Sequence, residues 1–67
     1  MKPFPHRLAL TPDGEIEATA PNPDSPRVPH RVVISRRAPG NLITANVAEG
    51  SDVFRYLIRA ARQHIAP

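Results

Sequence analysis

Arginine is the residue type in this chain that is best suited to binding chemistry. The 67 residues include eight arginines and one lysine against six acidic residues, for a net charge of +3. Positions 1–26 carry two basic and four acidic residues, a net −2, whereas positions 27–67 carry seven arginines and two acidic residues, a net +5. Guanidinium groups form bidentate contacts with phosphates and carboxylates. The C-terminal part therefore predicts a surface for anionic partners.

These arginines form two groups. Four of them lie within the eleven positions 27–37, where Arg36 and Arg37 directly precede an Ala-Pro-Gly turn. The other three recur at i, i+4 and i+7 on one face of a predicted helix. A charged hairpin tip that deters edge aggregation and an ordinary hydrated helix face would explain the same pattern without a partner. The predicted binding residues are Arg27, Arg31, Arg36, Arg37, Arg55, Arg59 and Arg62.

The sequence contains no recognisable set of catalytic residues, so we predict that the protein is not an enzyme. Each of the three glycines stands alone at a turn or a helix start, which excludes phosphate-binding glycine loops. The three histidines share no ligand spacing, and cysteine is absent, so we predict no catalytic residue, no metal site and no cofactor.

The hydrophobic pattern predicts an α+β fold: two β-hairpins, about four strands in one antiparallel sheet, with an amphipathic C-terminal helix packed on one face. Turn residues at 11–14 and 38–41 close the hairpins, the latter as a type II turn with Pro39-Gly40 at its centre. The single domain 1–67 would comprise a tail at 1–5, a proline-rich connector at 21–29 and a helix at 51–66, with Ser51 as its N-cap. Because the connector is long, the strand order stays open.

Side-chain alternation assigns the strands' faces. In the fourth strand, Ile43, Ala45 and Val47 are predicted to face the helix. Val33 and Leu42 are predicted to lie on the opposite face, where one helix leaves apolar residues uncovered and a homodimer contact can form.

The strand-turn-helix order resembles that of small phage or mobile-element proteins, including some anti-CRISPR inhibitors. In those proteins a hairpin runs into a helix through a short turn like Ala48-Glu49-Gly50-Ser51-Asp52, and the likeness covers roughly residues 30–65 through architecture and size. This resemblance implies a stoichiometric inhibitor that blocks a binding surface of a host protein or defence complex.

We therefore predict a small protein-binding modulator, with a nucleic-acid-binding accessory protein as the alternative reading of the same basic patch. No run approaches the roughly 20 apolar residues of a membrane span. The lack of cysteine and the prolines near the N-terminus favour a cytoplasmic location, the host cytoplasm if the gene is phage-encoded.

Overall fold

The computed structural model describes residues 6–65, which form four strands and one helix. The strands are β1 (Arg7–Leu10), β2 (Ile16–Ala20), β3 (His30–Ile34) and β4 (Leu42–Ala45), and the helix is α1 (Asp52–Arg62). The strands pair in the order β1-β2-β3-β4, each antiparallel to the next. The predicted α+β class is thus confirmed, and the open question of strand order resolves to a simple meander. The predicted tail at 1–5 lies outside the described residues.

The core lies between the sheet and the helix. On β2 the alternation of buried and half-buried residues puts Ile16, Ala18 and Ala20 under the helix, and Val32 and Ile34 of β3 share that face. From α1, the side chains buried against them are Leu57, Ile58 and Ala61. The helix covers the two central strands because β2 and β3 present these apolar residues side by side.

The helix is amphipathic, as predicted, but shorter than the predicted span of 51–66. It ends at Arg62, and Gln63 caps it with its backbone N–H donating to the carbonyl of Ala61. Half-buried Ile65 packs against the core from beyond the helix end. No helix within residues 6–65 is long and apolar enough to cross a membrane.

The turn between β3 and β4 differs from the predicted type II turn. The backbone N–H of Gly40 donates to the carbonyl of Arg37 at 2.7 Å, so Ala38 and Pro39 occupy the two central positions, joined by a cis peptide bond. Gly40 follows with φ +79°. This turn lies so close to Ile65, just past the end of the helix, that a Cβ at Gly40 would collide with the Ile65 side chain.

A β-bulge between β3 and β4 overturns part of the predicted face assignment. Val33 pairs with Thr44 and Ile34 with Leu42, which leaves Ile43 as an extra residue of β4 without a partner. The extra residue inverts the alternation before it. Leu42 therefore shares the helix-facing side with Ile34, and Ile43, which was predicted to face inward, is 52% exposed. Ala45 and Val47 pack against the core, as predicted.

The bulge also places the two residues of the predicted homodimer contact, Val33 and Leu42, on opposite faces of the sheet. Val33 lies on the face without the helix but is only 3% exposed, between its cross-strand neighbours Glu17 and Thr44. Leu42 lies on the other face. The two residues therefore cannot form one apolar patch.

The glycines offer a direct test of how the second turn is held against the helix. We expect Gly40→Ala to lower the free energy of unfolding by about 2–5 kcal/mol, because a left-handed alanine costs about 1–2 kcal/mol and overpacking about 1–3. Gly14→Ala should cost only about 1–2 kcal/mol, because Gly14 has φ +81° but nothing within 4 Å of its Cβ position.

Gly50→Ala is the matched control, since Gly50 has neither a positive φ nor a neighbour near its Cβ position. Urea denaturation of the three variants should give the order Gly40, Gly14, Gly50 from most to least destabilised. Equal losses at Gly40 and Gly14 would mean that the contact with Ile65 does not constrain the turn.

Candidate protein-binding groove

An open groove runs between α1 and the edge strand β4. Its floor is apolar: Leu42 from β4 and Phe54 and Ile58 from α1 line it, in a volume of about 770 Å³. Leu42 remains 37% exposed at this position, although it shares the helix-facing side of the sheet. The groove exists because the helix covers β2 and β3 and leaves the helix-facing side of β4 partly open to solvent.

Three arginines of α1 line the same groove. Arg55, Arg59 and Arg62 follow the helical repeat, so they stand about 6 Å and about 4.5 Å apart along the axis at a rise of about 1.5 Å per residue. Arg55 donates from Nη2 to the carbonyl of Gly50 at 2.9 Å, which anchors one end of the row. Within residues 6–65 none of the three forms an ion pair. The row therefore presents positive charge next to an apolar floor.

The two ends of the groove differ in charge. Glu49 lines it near the start of the helix, and Gln63 lines it at the other end. Glu49 is the one acidic residue among those that line the groove. Positive potential therefore rises toward Arg59 and Arg62.

The start of α1 is fixed by Ser51, as predicted. Its Oγ accepts from the backbone N–H of Phe54 at 3.2 Å and donates to the carbonyl of Ala48 at 2.7 Å. The first bond satisfies a donor that the helix cannot pair, and the second ties the helix to the preceding turn. Asp52 adds a negative charge at the positive end of the helix dipole. Ser51 thus fixes where the helix that carries the arginine row begins.

The other predicted binding residues do not join this surface. Arg31 lies on the sheet face opposite the helix, where its Nε donates to Oε2 of Glu17 at 2.6 Å in an ion pair. Arg27 belongs to the connector 21–29, at the end of the sheet opposite the two hairpin turns, and is exposed. The single basic patch that the sequence suggests is therefore divided.

The hairpin tip with Arg36 and Arg37 is exposed but is not purely basic. Because both hairpin turns lie at the same end of the sheet, Asp13 and Glu15 of the first turn border the same surface depression as these two arginines. Glu15 Oε2 accepts from the backbone N–H of Arg36 at 3.3 Å. Asp13 and Glu15 of the first hairpin thus offset the positive charge of Arg36 and Arg37, which the sequence predicts to be a basic tip.

The sequence pattern misses the apolar floor of the groove. Phe54 and Ile58 read as ordinary members of the buried helix stripe, and Leu42 is assigned to the wrong face. The available signal is that two of the three, Phe54 and Ile58, lie one residue before Arg55 and Arg59, so the apolar stripe and the arginine row share a border.

Residues 6–65 contain no group of three or more histidine or acidic side chains placed to hold a metal ion, and no buried side-chain nitrogen or oxygen there lacks a hydrogen bond. His6 packs edge-to-face on Tyr56 with ring centroids 5.2 Å apart, on the β1 side of the helix. His30 begins β3 and His64 follows the helix, so the three histidines are dispersed.

Compared with known proteins, the chain shows no significant match to any family model, any curated protein or any solved structure. What the groove does must therefore be argued from its own residues.

Replacing the N-cap tests whether Ser51 holds the arginine row in place. We expect Ser51→Ala to cost about 0.5–2 kcal/mol of unfolding free energy, because the N–H of Phe54 and the carbonyl of Ala48 both lose a partner. Amide hydrogen exchange should rise first at residues 52–55. Ser25→Ala is the control, since Ser25 lies exposed in the connector. Unchanged exchange at the helix start would show that the cap does not position it.

Proposed function

We propose that the protein is a small, non-enzymatic binding protein that acts as a stoichiometric modulator, best described as an inhibitor, of another protein. The observation that carries this proposal is the groove between α1 and β4, in which an apolar floor adjoins three arginines that have no ion-pair partner among residues 6–65. Arginine is enriched at protein interfaces and among the residues that contribute most to their binding energy, and the buried centre of an interface is apolar.

The apolar floor favours a protein partner over a nucleic acid. Phosphate contacts need clustered cations and gain little from leucine, isoleucine and phenylalanine side chains unless a base stacks or a wedge intercalates. The seven predicted arginines are divided, and the acidic residues Asp13, Glu15 and Glu17 lie beside three of them. Nucleic-acid binding through the same arginines is the alternative proposal.

A catalytic role has less support than a binding role. Catalysis needs a nucleophile with a base, or a comparable set of groups, in a concave site. From residues 6–65 the groove is lined by three arginines, one glutamate and one glutamine as polar groups. Such residues can hold an anionic surface in place and thereby block it, which is how a stoichiometric inhibitor of a host protein or defence complex works.

Charge reversal in the groove tests the proposal. The chain would be immobilised and exposed to lysate of the host cell, and captured proteins would be identified and then purified for light scattering with the chain. We expect a defined complex of fixed stoichiometry, and we expect Arg59→Glu/Arg62→Glu to weaken it at least tenfold, because two attractive contacts become repulsive.

The single variants Arg62→Glu and Arg7→Glu make the same change in net charge, but Arg7 is exposed outside the groove and outside the predicted binding set, so Arg7→Glu should retain the complex and Arg62→Glu should weaken it. Equal loss in the two single variants would reduce the effect to net charge. Capture of DNA or RNA alone, with affinity falling steeply as salt rises, would instead support the nucleic-acid alternative.

A further inference from the structure

The edge strand that borders the groove is poorly suited to pairing with a partner's strand. β4 has four residues, and its bulge leaves Ile43 without a partner on β3. An added strand needs outward-facing amides at every second residue, and the extra residue breaks that alternation. Bulges and short edge strands are devices by which proteins avoid edge pairing. The occupant of the groove is therefore not an extended strand of a partner.

A small molecule also fits the groove poorly. Its volume of about 770 Å³ falls within the size range of ligand pockets. It is however an open furrow beside an exposed helix face, so a compact ligand would leave much of its surface in water, whereas ligand sites bury about 70–90% of that surface. An elongated occupant that covers the furrow along its length removes more apolar surface from water.

The spacing of the arginines matches an α-helix. Arg55, Arg59 and Arg62 lie on one flank of α1, and helices pack at interaxial distances of about 8–10 Å. A helix beside α1 repeats its side chains with the same rise, so carboxylates at i and i+3 or i+4 recur at the separations of these arginines. Its apolar side chains at matching positions would cover Leu42, Phe54 and Ile58.

We infer that the groove binds an acidic amphipathic helix of the partner protein, with carboxylates facing Arg59 and Arg62 and apolar side chains covering the floor. This inference rests on the proposed function and names the chemistry of the partner. Charge complementarity selects the acidic helix: no carboxylate within residues 6–65 pairs with the arginine row, and Glu49 at one end of the groove is the only acidic residue that lines it.

The test uses a synthetic peptide as the probe, an 18-residue chain with leucine at i, i+3, i+4 and i+7 and glutamate on both flanks of the leucine stripe. Titration into the isotopically labelled protein, followed by NMR, should give saturable shifts at residues 42, 54, 58, 59 and 62. Far-UV circular dichroism of the mixture should show more helix than the sum of the two components. A partner that binds as a strand would not produce this gain.

Two control peptides separate the contributions of charge and apolar surface. Replacement of every glutamate by glutamine should weaken binding at least tenfold, as should replacement of the leucines by serine. Equal binding of the glutamine peptide would overturn the inference, as would shifts that map to the hairpin tip at 36–37 or to the face that carries Arg31.

Reversing the charge of both the groove and the peptide controls for unfolding, because an unfolded variant would not gain binding of the oppositely charged peptide. Arg59→Glu/Arg62→Glu should lose the glutamate peptide and gain binding of the same peptide with lysine in place of glutamate, whereas Arg7→Glu should bind the glutamate peptide as the parent chain does. Failure of the swap in a folded variant would overturn the inference.

The capture experiment and the peptide experiment together distinguish failure of this inference from failure of the proposed function on which it rests. If the charge-reversed chain loses its captured protein but no acidic helical peptide binds the groove, the proposed function stands and the helical partner is wrong. If charge reversal leaves the captured complex unchanged, the proposed function itself fails, whatever the peptides do.

Discussion

A single helix cannot cover a four-stranded sheet, and this geometric constraint determines the rest of the structure. Four strands span about 14 Å between the outer strand axes at a spacing of about 4.8 Å, whereas an α-helix with its side chains is about 10–12 Å wide. α1 therefore packs over the two central strands, where the small side chains of Ala18, Ala20 and Ala61 let it approach closely. The apolar residues of both edge strands stay partly exposed, with Leu10 59% and Leu42 37% accessible.

The two exposed edges differ in what the helix presents beside them. On the β1 side the helix places Tyr56 against His6, while Leu8, Leu10 and His64 border an open depression. On the β4 side the helix places its arginine row beside Leu42 and Phe54. The same packing constraint thus leaves apolar surface at both edges, and the β4 edge is distinguished by the three arginines of α1 that line it.

Much of the fold follows from local signals in the sequence. Alternation on β2 and β3, glycine at the two turns and a serine before a 3.6-residue apolar repeat each depend on a few neighbouring residues, so the four strands and the helix are predictable. The bulge on β4 is not, because Ile43 and Leu42 are both apolar and either phase of alternation satisfies the local pattern. Pairing with β3 decides between them, and that is a long-range property.

The site is less predictable than the fold because the meaning of an arginine depends on what lies across from it. Arg31 reads in the sequence like Arg59, yet the meander places Glu17 within 2.6 Å of Arg31, while no carboxylate among residues 6–65 pairs with Arg59. Likewise, the return of the chain brings Glu15 to the backbone of Arg36. A run free of acidic residues along the sequence says nothing about acidic residues on the neighbouring strand.

The small size of the chain makes its exposed apolar furrow significant. A domain of this length buries only about 60% of its unfolded surface and has little stability in reserve. The exposed Leu42 and the half-buried Phe54 therefore leave apolar surface in water that a wider cover would bury. Arginine stems can cover apolar atoms while their charged heads stay in water, so arginines beside the furrow are compatible with its exposure in the free protein. The acidic helical partner that we propose would both neutralise those heads and remove the floor from water, so one contact would supply electrostatic attraction and apolar burial together.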